Sequence, residues 1–192
     1  LIDGITIKSV SAMLGTVIGV IIAGIFAAGF GHLAKISGYN VSEIEELIFV
    51  ANNTNLKIGG LLFAGILIAS LGAVMDVSMS VASTINEIYD KNPDLSGKEL
   101  FKSGINVGKD MMGTMSNTLI LAFTGGSINT LILNYSYNMQ YNQIINMYSI
   151  GIEIMQGISG SIGVILTVPL VSFITSFLLT NSKLKSNKIL DI

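Results

Sequence analysis

Four long apolar runs constrain this chain more than any other feature. "VSAMLGTVIGVIIAGIFAAGF" (10–30) holds no charged side chain, and comparable runs cover 58–86, 111–134 and 150–180. A helix needs about 20 mostly apolar residues to cross the hydrocarbon of a bilayer. Each run is long enough, and only helices or closed barrels satisfy the backbone inside lipid. The expected fold is therefore an all-α polytopic transmembrane bundle of about four spans, at 10–31, 58–86, 111–134 and 150–180. Charged residues make up 11% of the chain and mean hydropathy is +0.70, against roughly 25% charge in soluble domains. Residues 1–192 read as one membrane domain. The chain begins at Leu1 rather than Met, so it is expected to be part of a longer protein.

Lysines set the direction of the spans. Lys8 precedes the first. The next loop holds Lys35 and Lys57 beside Glu43, Glu45 and Glu46; the one after holds Lys91, Lys98, Lys102 and Lys109. Residues 134–149 hold none, and the tail holds Lys183, Lys185 and Lys188. This alternation predicts both termini in the cytoplasm, with the chain in the cell (inner, cytoplasmic) membrane as a multi-pass protein. Two amphipathic segments are expected between spans, at 41–52 and 96–110. The second opens with the Ser96…Glu99 spacing of a capping box.

Asp76 is alone inside the second run. A carboxylate at mid-bilayer costs about 2.5–3.5 kcal/mol even on lenient insertion scales, so an intramembrane acid is a functional candidate by default. Helical steps of three and four from Asp76 reach Gly72, Ala69 and Gly65 in one direction and Ser80, Ser83 and Glu87 in the other. Small faces let helices approach closely in lipid, so this stripe is expected to face protein, with Leu67, Leu71, Val74 and Ile85 on the opposite side. Thr114 and Asn117 lie at a comparable depth on the third span and are candidate partners of Asp76. Burial disfavours the charged form of an acid, so Asp76 is read as a proton-coupling residue, with Ser80, Ser83, Thr114 and Asn117 lining or tuning the site. The alternative is a structural aspartate, and Asn117 serves equally well as simple interhelical glue. Gly65 and Gly72 on the second span, with Gly157, Gly160 and Gly163 on the fourth, are expected helix-packing positions. Pro169 is expected to kink the fourth span.

Several chemistries lack their residues. There is no cysteine, one histidine (His32) and no arginine, so no thiol chemistry, zinc ribbon or diagnostic metal site is expected. The net charge is −2, which gives no electrostatic footprint for nucleic acid. "GISGSIG" (157–163) is not a nucleophile elbow, and neither "GGS" (125–127) nor "SGKE" (96–99) completes a phosphate loop. No enzyme and no cofactor is expected.

"LGAVMDVSMSVASTINEI", "GKDMMGTMSNTLILAFTG" and "EIMQGISGSIGVILTVP" resemble the YibE/F family of bacterial multi-pass membrane proteins across nearly all of 10–180. That resemblance implies further spans or an extra-membrane region upstream and a homologous partner subunit. A weaker likeness, from "GAVMD…S…INEIY" to "TVP", is to half of the membrane core of resistance–nodulation–division exporters and of SecD/SecF. It implies that Asp76 takes part in proton coupling, although Val77 stands where many exporters carry a second acid. The expected function is a membrane subunit of a transport-type system, with the lipid membrane and a second copy or homologous subunit as partners. The rival reading is a non-transporting scaffold in which the stripe is only an assembly surface. The substrate is not legible.

Overall fold

The computed structural model describes residue 4, residues 6–36 and the backbone of 58–190, with side chains as far as 181. Helix α1 covers Ile7–Leu33, α2 Ile58–Lys91, α3 Gly97–Gly126, α4 Ile128–Ser136, α5 Tyr141–Ile145 and α6 Tyr148–Leu190. No strand occurs among the described residues. α1, α2 and α6 are each long and apolar enough to cross a membrane, and α3 with α4 passes the same test as one bent pair. The chain is thus a helical bundle of three or four candidate spans. The expected amphipathic segment 41–52 lies outside the described residues. Residues 97–110 are not a separate element, because α3 runs through them without interruption. α6 likewise continues through Pro169.

α6 is the hub, packing on α1, α2 and α3, while α2 also touches α1 and α3. α1 starts where the Thr6 hydroxyl accepts from the Ser9 amide at 3.2 Å. Its buried face is Ala12, Gly15, Gly19, Ala23 and Ala27, one small residue per turn, while Met13, Val17, Ile21 and Ile25 point outward. This division is physical: lipid solvates large apolar groups as well as protein does, so interfaces in membranes go to residues that allow close approach. α6 supplies the complementary knobs. Val171 sits over Gly15, Thr167 over Gly19 and Val168 over Gly108, and a Cβ at Gly163 would come within 2.8 Å of the Ala23 Cβ. On α3 a Cβ at Gly104 would meet Ile85 and Ser172, each at 2.6 Å. The central cluster is Val74, Val77, Val81 and Ile85 from α2, Leu100 from α3, and Val164, Val168 and Val171 from α6.

α3 gains its N-terminus from a reciprocal capping box. Ser96 Oγ accepts from the Glu99 amide at 3.4 Å, and Glu99 Oε2 accepts from the Ser96 amide at 2.9 Å. Its other end breaks at Gly125-Gly126-Ser127. Two glycines are poor helix formers, and the Ser127 hydroxyl donates back to the Phe123 carbonyl at 3.0 Å, a bond that bends helices. The axis turns by 47° into α4.

An outward-facing aspartate on the second span

The buried face of α2 runs through Ile66, Ser70, Val74, Val77, Ser78, Val81, Ala82 and Ile85. At about 100° per residue, the Gly65–Ala69–Gly72–Asp76 stripe lies nearly opposite. Those four residues are exposed, Ser80 and Ser83 are half-buried, and Glu87 is exposed. The sequence expectation is therefore inverted within the chain: Val74 and Ile85, expected outside, form the core, and the small polar stripe faces out. The cause is fit. β-Branched side chains of α2 close on glycines of α1, as Val74 does on Gly19, and these contacts claim the interior.

Asp76 makes no hydrogen bond or ion pair among the described residues. Thr114 and Asn117 are both exposed on α3. The Thr114 hydroxyl donates to its own helix at the Asp110 carbonyl, 3.0 Å away, so the expected contact with Asp76 is not made within the chain. Gly65 and Gly72 have nothing among the described residues within 4 Å of a Cβ. Gly160 and Gly163 do pack, against Leu119 of α3 and Ala23 of α1, and Gly157 lies against Phe123 and Ile120.

Glycines on the two flanking helices carry much of the packing, and they were findable. Gly15 with Gly19, and Gly104 with Gly108, each have the four-residue spacing of close-packing helices. A set of buried hydroxyls was less visible. Ser78 on α2 and Ser159, Ser161, Ser172 and Thr175 on α6 have no hydrogen-bond partner among the described residues. By contrast, Ser70, Thr167 and Ser176 donate to the carbonyl four residues back.

The outer face of α2 sets this small, acidic stripe beside large apolar groups, Ile68, Met75 and Met79, of the kind that cover the outer face of α1. Asp76 lies about 16 Å along the helix from Glu87, at 1.5 Å per residue, inside the candidate span Gly59–Lys91. Such a face needs protein or water against it when the acid is charged, and tolerates an apolar neighbour only when the acid is neutral. A model of the YibE/F-like proteins matches residues 1–181 of the chain. No curated protein and no solved structure matches it.

Proposed function

Since the chain belongs to the YibE/F family, we propose that it is a membrane subunit of a transport-type system, coupled to protons through Asp76. One observation carries the reading. Asp76 is exposed on a small-residue face of a candidate span, with no partner among the described residues. A second copy or a homologous subunit would cover this face. With Asp76 neutral, the Gly65–Gly72 surface can close tightly on that neighbour. With Asp76 ionised, closure would desolvate a charge, so the seam opens or admits water. That is a two-state element whose balance a proton gradient can bias. Ser80, half-buried beside Asp76, and Thr114 and Asn117, on the exposed side of α3, are the hydroxyl and amide groups that would tune it.

The test is flux in proteoliposomes with and without a pH gradient, with assembly followed by native mass spectrometry. Asp76→Asn reproduces the neutral acid in shape. It is expected to assemble and to abolish gradient-driven activity. Normal assembly with full gradient-dependent flux would remove the proposal. The exposed stripe also favours a second reading, a scaffold that uses the face only for assembly. Inactivity that is independent of any gradient, in a complex that assembles intact, would select the scaffold. A clean monomer from the full-length protein, alone and with its homologous partner, would refute the pairing on which both readings rest.

A further inference from the structure

The break between α3 and α4 faces a second acid, Glu153, near the start of α6 and well away from the valine core. Two cavities of about 230 Å³ each adjoin there, and Ser127 and Glu153 line both. One is walled mainly by apolar side chains, among them Phe123 and Ile154. The other collects Gly126, Ser127, Thr130, Ser149 and Glu153. Ser127 is only 7% exposed, and its hydroxyl donates to the Phe123 carbonyl at 3.0 Å, which leaves the lone pairs of its oxygen for a ligand. Gly125 and Gly126 have nothing within 4 Å of a Cβ, so backbone stands bare at the bend.

Three properties of this recess select its ligand. Every side-chain donor is oxygen: one carboxylate and the hydroxyls of Ser127, Thr130 and Ser149. No lysine occurs between Lys109 and Lys183, and no arginine occurs at all, so α3 beyond Lys109, α4, α5 and α6 as far as residue 181 carry no cation. The end of α1 that packs beside Met155 holds His32, with Lys35 just beyond it, and neither lines the two recesses. Glu153 is half-buried and lies about 7 Å into α6 from Tyr148 at 1.5 Å per residue, so it is partly dehydrated yet near a helix end. Oxygen ligands suit hard cations, and a single carboxylate among neutral oxygens balances one positive charge. We propose that the α3–α4 break and Glu153 form a binding site for a small monovalent metal cation, of the sodium class.

The site shares no residue with Asp76, so it is tested separately. The probe is sodium chloride, against choline chloride at equal ionic strength, on the full chain in nanodiscs. The readouts are thermal unfolding and sodium-23 NMR linewidth. Sodium is expected to raise the unfolding temperature and to broaden the line, with Asp76→Asn preserving both effects. Glu153→Gln removes the one charge that balances the cation and should weaken sodium binding by about tenfold or more. Should Glu153→Gln fail to fold, Thr130→Val tests the same donor set and should weaken sodium several-fold. Equal unfolding temperatures in sodium and choline overturn the proposal. So does a sodium effect that survives Glu153→Gln, or survives Thr130→Val where the first variant does not fold. A response to pH alone, with no sodium dependence, overturns it in favour of a protonation site.

Discussion

Gly108→Ala isolates the packing rule of this bundle in one methyl group. Gly108 of α3 lies under Val168 of α6, and a Cβ there would collide with Val168 Cγ1 while standing 3.2 Å from both Val168 Cβ and Cγ2. Ordinary carbon contacts lie near 3.5–4.0 Å. Val168 is fully buried and, being β-branched on a helix, has essentially one rotamer, so it cannot swing aside. The helices must part, and overpacking of this kind costs about 1–3 kcal/mol. Gly113→Ala is the control, five residues on in the same helix, where nothing lies within 4 Å of a Cβ. Both changes gain the same helix propensity of about 1 kcal/mol, so their difference reads the collision alone. Unfolding in mixed micelles, followed by circular dichroism as sodium dodecyl sulfate is titrated, should place Gly108→Ala about 1–3 kcal/mol below Gly113→Ala. Removing the γ carbons with Val168→Ala should restore part of the loss, giving a coupling of about 1 kcal/mol in the double-mutant cycle. Equal stability of the two glycine variants, or strict additivity with Val168→Ala, would refute the glycine-and-valine account of how α3 docks.

Ser96→Ala removes the oxygen that accepts from the Glu99 amide, which should cost about 1 kcal/mol and speed amide exchange at Glu99 and Leu100; unchanged exchange would mean the cap is inert. Ser172→Ala deletes a buried hydroxyl without a partner among the described residues and should be neutral or stabilise by up to about 1 kcal/mol. A clear loss in the same unfolding titration would show that the oxygen is held. Cysteines introduced as Gly38→Cys, Asn92→Cys, Asn138→Cys and Ser186→Cys should label from outside, inside, outside and inside in that order. Positions 92 and 138 on one side of the membrane would overturn the orientation drawn from the lysines.

Much of the architecture is determined by the sequence alone, because bilayer thickness and backbone hydrogen bonding leave few options for a chain with four long apolar runs. The Ser96–Glu99 cap is equally local, needing only residues three apart. The break at Gly125-Gly126-Ser127 was within reach for the same reason, as two glycines and a back-bonding serine weaken a helix wherever they stand. Orientation of α2 was not local. Its stripe and its valine face both satisfy helical periodicity, and both are plausible interfaces in lipid, where hydrophobicity does not separate inside from outside. Only the tertiary structure decides between them, through the close fit of Val74 on Gly19 and of Ile85 on Gly104. That choice turns Asp76 outward and leaves it without a partner among the described residues. It also sets Glu153 against a bend that lies far from it in sequence. Distance along the chain hides such a pairing until α3 and α6 are packed.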